Sequence, residues 1–258
     1  MMILSVLLIA LSLRLAQSSR LRNDMNNDLS PVLSGSRFKL IDWVQIKEPP
    51  VPLVTEKVGA HVELECQAMG SPPPTIQWYK RNMRITENEM MEVNTIKPSD
   101  ALAMMSSRLV INYLLPRHQD IYRCVAEAGA QVSTSVTKLI VSDKEGREMN
   151  FTQLINAKIL GAHHMPRVTF WASTLMDTIG NEVNLPCKSV GNPKPTLLWI
   201  DPNGRVIETD DRFTILPDGE LRIKSIIWAD MGIYTCVVKN SVGDDTVETF
   251  LYPMKASD

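Results

Sequence analysis

The chain has 258 residues, 44% of them hydrophobic and 22% charged, with a formal net charge of −2. That length holds one large domain or two small ones. The near-neutral balance supplies no overall basic field for a nucleic acid or an anionic membrane surface, which excludes both as expected partners.

The N-terminus reads "MMILSVLLIALSLRLAQSS", in which Ile3 to Leu13 form an apolar run suited to a signal-peptide core and too short to span a bilayer. Ala16 and Ser18 satisfy the small-x-small rule, so residues 1–18 are expected to be a signal peptide, although no basic residue precedes the run and Arg14 follows it. Residues 19–38 are polar and aperiodic and predict a disordered leader. "FKLIDWVQI" then opens a first domain over 39–142 as an edge strand, with prolines at 49, 50 and 52 breaking it. Cys66 is followed twelve residues later by Trp78. The next stretch, "RNMRITENEMMEVNTIKPSDALAMMSSR", carries Met83, Met90, Met91, Met104 and Met105. Methionine is adaptable and suits surfaces that repack, so this segment reads either as a local cover over the sheet or as a contact site. Leu109, Ile111 and Leu114 lead to Tyr122, two residues before Cys124, and the "EAGAQ" turn feeds a last strand, "SVTKLIVS".

A connector over 143–166 follows. Asn150 in Asn150-Phe151-Thr152 is a glycosylation candidate. Phe151, Leu154, Ile155 and Ile159 fall at helical spacing, as an amphipathic turn packed on a domain or a partner-binding helix would. The second domain is expected over 167–254. In it Trp199 again lies twelve residues after a cysteine, Cys187, and Tyr234 two residues before another, Cys236. Leu221, Ile223 and Ile226 keep the offsets from Cys236 that Leu109, Ile111 and Leu114 keep from Cys124.

Four cysteines allow three pairings. None sits in a C-x-x-C, which argues against a zinc site. The repetition of Cys, Trp and Tyr-x-Cys, offset by 121 residues from Cys66 to Cys187 and from Trp78 to Trp199, matches the immunoglobulin sandwich. In that all-β fold one disulfide ties two sheets about 10 Å apart, Trp packs against it, and the Tyr hydroxyl bonds backbone at the E–F corner. The prediction is two such sandwiches in tandem, with Cys66 joined to Cys124 and Cys187 to Cys236. The spacing from Trp to the strand-E leucine is nine residues longer in the first half, which places an insertion between its strands C and E.

"CQAMGSPPPTIQWYK" and "CKSVGNPKPTLLWI" resemble the B-to-C segments of I-set (C2-type) immunoglobulin domains. From about Asp42 to Pro253 the chain also resembles the small secreted two-immunoglobulin proteins, a group that includes the nematode zwei-Ig proteins and an insect insulin-binding protein. "LPDGELRIKSIIWADMGIYTCVVKNSVGDDTVETFLYP" carries most of that likeness. The resemblance implies that Asp230 pairs with Arg212 at the start of strand D, and that Gly232 serves the tight corner. The first domain has His118 and Asp120 at the matching places, which predicts no clamp and a looser corner there.

No catalytic constellation is legible. His61, His118 and the His163-His164 pair stand in no nucleophile or metal motif, so a non-enzyme without cofactor is expected. No later stretch reads as a membrane span, and the tail "ETFLYPMKASD" carries no anchor signal, so a secreted, untethered product is expected. The partner is then an extracellular or cell-surface protein. Resemblance to the nematode proteins implies a neuronal factor that maintains axon position in the nerve cord through an adhesion receptor. Resemblance to the insect protein implies sequestration of insulin-like peptides. The second role needs an exposed apolar patch, for which the methionine segment, Trp43, Trp171 and Trp228 are the candidates.

Overall fold

The computed structural model describes residues 42–85, 100–142 and 163–255. The signal-peptide and leader segments, Met90, Met91, Asn150 and the apolar stripe of the connector lie outside the described residues. The described chain forms strands β1 (Trp43–Glu48), β2 (Leu53–Lys57), β3 (Val62–Ser71), β4 (Thr75–Lys80), β5 (Met83–Arg84), β6 (Leu102–Ile111), β7 (Asp120–Ala128) and β8 (Gln131–Ser142) in its first half. The second half holds β9 (His164–Thr178), β10 (Val183–Leu185), β11 (Cys187–Asn192), β12 (Thr196–Ile200), β13 (Phe213–Ile215), β14 (Leu221–Ile223), β15 (Gly232–Lys239) and β16 (Asp244–Met254). Two 3-10 turns, Pro116–His118 and Trp228–Asp230, precede β7 and β15.

Each half is a two-layer sandwich closed by its own disulfide, Cys66–Cys124 and Cys187–Cys236. The strand alternation explains the cores. In β3, Val62, Leu64, Cys66 and Ala68 point inward and are buried, while the residues between them face out. Trp78 pairs directly with Cys124, and Trp199 with Cys236, so each indole is delivered against its own bridge. Both rings are buried and both indole N–H groups are satisfied, Trp78 by Ser107 Oγ at 3.1 Å and Trp199 by the Gly219 carbonyl at 3.0 Å. Gly219 has φ +92°, and a Cβ there would lie 2.9 Å from the Cys187 carbonyl, so no side chain fits.

The first sandwich sets β1-β3-β6 against a five-stranded sheet, β2-β8-β7-β4-β5. In the second, β16, β15 and β12 oppose β10-β14-β13. The two halves are not separate beads. Strand β9 bonds β11 and then, in parallel, β16 along one edge. Along its other edge it runs antiparallel to β6 of the first half, from Leu102↔Met176 to Ser107↔Phe170. The result is one continuous sheet, β1-β3-β6-β9-β16-β15-β12, with β11 also paired to β9. An exposed strand edge is a template for adventitious pairing, and here the edges of β6 and β9 cover each other.

This seam corrects the reading of Met105 as a surface residue. The end of the first-domain insertion is not a loop over the sheet; it extends β6. Alternation along a strand then sends Met105 into the core, fully buried, and Met104 to the outer face.

Candidate functional site

The outer face of the continuous sheet is the candidate site. Residues paired across neighbouring strands share a face, and one row runs Gln45, Met69, Met104, Thr174, Phe250, Ile233 across six strands of both domains. Beside it lie Leu102, Met176 and Tyr252. The inward neighbours, Ala103, Leu175, Leu251 and Tyr234, are buried, which fixes the direction of the row. Towards β15 the face becomes more open: Phe250 is 38% exposed, Ile233 47%, Met231 38% and Trp228 50%. Trp228 meets Tyr252 edge-on with ring centroids 6.0 Å apart, and Phe250 lies 6.4 Å from Tyr252. Single exposed apolar side chains are ordinary, whereas a row and its flank that bring methionines and three aromatic rings together across two domains make a candidate contact surface.

Along the strand direction the same face turns polar and then charged. Gln67 Nε2 donates to Ser106 Oγ at 2.9 Å and Ser173 Oγ at 3.1 Å, stitching β3, β6 and β9. One step further, Arg108 on β6 reaches Glu65 at 2.6 Å, Glu63 at 3.4 Å and Asp245 of the second domain at 3.0 Å, with its guanidinium 5.2 Å from the Trp171 ring. Arg167 on β9 binds Glu63 from the other domain at 2.6 Å. Asp245 also accepts the Val168 N–H at 2.8 Å. Burial alone would raise the Glu63 pKa, but hydrogen bonds from His61 and Arg167 and the charge of Arg108 outweigh it and hold the carboxyl below its ordinary value. Burial likewise pulls Arg108 down, and the Glu65 hydrogen bond with the charges of Glu65, Glu63 and Asp245 leaves it raised. The charged end is therefore satisfied internally and acts as a lock between domains, which leaves the apolar end as the candidate contact surface.

A model of the immunoglobulin I-set domain matches residues 44–141 and again 166–252. The chain belongs to the I-set immunoglobulin family. Within that family it is similar to the neural/ectodermal development factor IMP-L2 of Drosophila melanogaster, 27% identical over 90% of this chain and 85% of the relative. It is also similar to the Caenorhabditis elegans zwei Ig domain protein zig-4, 30% identical over 76% of this chain and 74% of the relative. The solved crystal structure of IMP-L2 aligns with a TM-score of 0.67 at 28% identity, covering 83% of this chain and 96% of that one. The protein is thus one of the two-domain I-set proteins related to the zwei-Ig group.

The corners of its two I-set domains differ in chemistry and agree in geometry. In the second, Asp230 Oδ2 accepts from Arg212 Nη2 at 2.5 Å and from the Ile227 N–H at 2.8 Å, and Tyr234 donates to the Asp230 carbonyl at 3.1 Å. Gly232 has φ +152°, and a Cβ there would fall 2.6 Å from Pro202 Cβ. In the first, Tyr122 donates to the His118 carbonyl at 2.7 Å, and His118 Nδ1 accepts the Leu115 N–H at 3.0 Å. The imidazole caps the turn where the carboxylate does in the second domain, so this corner is anchored and not loose. Asp120, in place of the glycine, is held by Arg81 at 2.8 Å. Burial raises the Tyr122 pKa to about 12, helped by the Asp120 charge.

His118 caps only when neutral. Burial first, then the charges of Arg117 and Lys80, lower its pKa from the ordinary 6.5, while His164 and Lys194 line the same cleft from the second domain. A histidine with a lowered folded pKa contributes stability that is whole above pH 6.5 and is lost as pH falls through the lowered value. Denaturant titrations at stepped pH should show a loss in this window for the native chain. His118→Asp should abolish that step, since a carboxylate caps without needing a lost proton. An unchanged step would refute the assignment.

Of the other sequence candidates, Trp43 and Trp171 are partly buried, and Trp171 is stacked under Arg108. No group of three His, Cys, Asp or Glu among the described residues is placed to hold a metal. Among the same residues no helix is long and apolar enough to cross a membrane.

Proposed function

We propose that the protein is a secreted binding protein that sequesters an insulin-like peptide by seating an apolar peptide helix on the outer face of its continuous sheet. The observation that carries this reading is the row from Met69 and Met104 through Phe250 to Ile233, which crosses the domain seam without a charged residue. A helix is about 10 Å across with its side chains and presents residues three and four apart, which a flat sheet of this width accommodates. Methionines let the face adjust to related peptides. Two disulfides suit the oxidising space outside the cell, where such peptides act. The axon-positioning role implied by the zwei-Ig relatives joins this reading as a consequence, because lowering the free concentration of a growth peptide is one route to an axonal phenotype.

Calorimetric titration with insulin-like peptides from the same source tests it. Saturable binding is expected, and Phe250→Thr with Ile233→Thr should weaken it by about 100-fold, as loss of a desolvated anchor does, with a small change in melting temperature because both side chains are more than a third exposed and threonine suits a strand. Absence of binding at about 10 μM, a weak affinity for a carrier, would end the sequestration reading. Animals lacking the protein but with normally placed axons would end the neuronal one.

A further inference from the structure

A second surface feature stands apart from the apolar face. A cleft of roughly 820 Å³ opens between the E–F end of the first domain and the B–C end of the second. Lys80 and His118 line it from one side and Lys194 and His164 from the other, with Tyr113 and Pro195 among its walls. No described aspartate or glutamate lines it. In a chain whose formal charge is −2, such a one-signed lining is a local device and not a by-product of composition. The positive field of the rim is felt at His118, where burial and then the charges of Arg117 and Lys80 favour the neutral ring. Asp120, which the Lys80 charge reaches, is engaged by Arg81 at 2.8 Å. Lys80 Nζ rests on the Arg117 carbonyl, which holds the ammonium at the rim beside a second exposed cation.

We infer that this cleft is a binding site for a sulfated polysaccharide chain of the extracellular matrix. The cleft is open and two domains wide, and it offers two ammonium charges and polar imidazole edges instead of an arginine fork or a nest of backbone N–H groups. That lining suits dispersed sulfate esters along a chain better than one phosphate gripped bidentately. A ring face such as that of Tyr113 gives a sugar an apolar wall. The site would localise the protein near cell surfaces, and it lies apart from the apolar face of the sheet.

The test uses the full folded protein, a heparin-derived octasaccharide and surface plasmon resonance at several salt concentrations. Binding is expected at about 0.15 M salt, and Lys80→Gln with Lys194→Gln should weaken it about tenfold and reduce the slope of log Kd against log salt by about two, one for each lost cation. Lys194→Gln alone, at an exposed site, should weaken binding without altering the melting temperature. Lys47→Gln, at an exposed residue of edge strand β1 that does not line the cleft, should change nothing. The inference falls if the octasaccharide does not bind, if the Lys80 and Lys194 variants bind as the native chain does, or if Lys47→Gln weakens binding equally. Equal binding of poly-glutamate would reassign the cleft to acidic polypeptides, and equal competition by inorganic sulfate at matched sulfate concentration would reduce it to a simple anion site; either result overturns the inference.

Discussion

Replacing Arg108 by alanine should destabilise the protein by about 2–3 kcal/mol, the loss expected when one partner of a mostly buried charge network is removed. The side chain is only 14% exposed and bridges Glu63 and Glu65 on one domain to Asp245 on the other. Its removal leaves Glu63 with Arg167 and Asp245 with the Val168 N–H but takes the shared cation from all three carboxylates, in a setting that the Trp171 ring also shields. The figure is kept below that of a fully buried pair because Glu65 is 58% exposed and is rehydrated readily. Arg108→Met should restore part of the loss by filling volume, whereas Arg108→Ala should also separate the melting of the two domains that the native seam couples. The lowered pKa of Glu63 adds a pH signature. Its contribution is complete above the ordinary value near 4.5 and disappears as pH falls through the lowered value. A change below about 0.5 kcal/mol in denaturant melts, the size of an ordinary surface substitution, would show that the β6–β9 backbone ladder holds the domains alone.

What could be read from the chain divides along physical lines. Cys66, Trp78, Tyr122 and their counterparts announce themselves because each satisfies a local demand of a sandwich core, at spacings set by strand and turn lengths. The Asp230 corner is legible for the same reason, and the alternation of Leu221 and Ile223 shows which way β14 faces. The seam is not legible. Whose edge β6 bonds is a matter of hydrogen-bond groups that every residue carries, and no side-chain pattern encodes it. The run "ALAMM" compounds the difficulty: Ala103 and Met105 serve a core while Leu102 and Met104 serve an outer face that is also apolar, so the period-2 signal vanishes. That is why Met105 reads as surface and the apolar row stays hidden until strands from two domains are laid side by side. His118 was opaque for another reason. A histidine in the place of an aspartate looks like a lost clamp, and only the direction of Nδ1 reveals that it accepts the same backbone proton.

The two corners lead to unequal expected losses. Asp230→Ala should cost about 2–3 kcal/mol, combining a lost cap on the Ile227 N–H, about 1 kcal/mol, with a charged hydrogen bond to Arg212. The ion-pair share is held to about 1–2 kcal/mol because the Arg212 side chain is 39% exposed and keeps its stacking on Phe213. His118→Ala should cost only about 1 kcal/mol, since the imidazole supplies a cap and no charge pair. Asp230→Asn discriminates between the two components: an amide oxygen in the Oδ2 position still accepts both the Ile227 N–H and the Arg212 N–H, so it should keep the cap and a neutral Arg212 bond and lose only the charge. Tyr234, whose hydroxyl leans on the Asp230 carbonyl and whose pKa burial drives well above the usual range, should stay buried in the Asn variant and lose protection in the Ala variant. Denaturant melts of the three variants, with tyrosine absorbance followed at high pH, measure these terms separately. Equal losses at Asp230 and His118 would mean that the Arg212 pair adds nothing and that the two corners are held by their backbone turns.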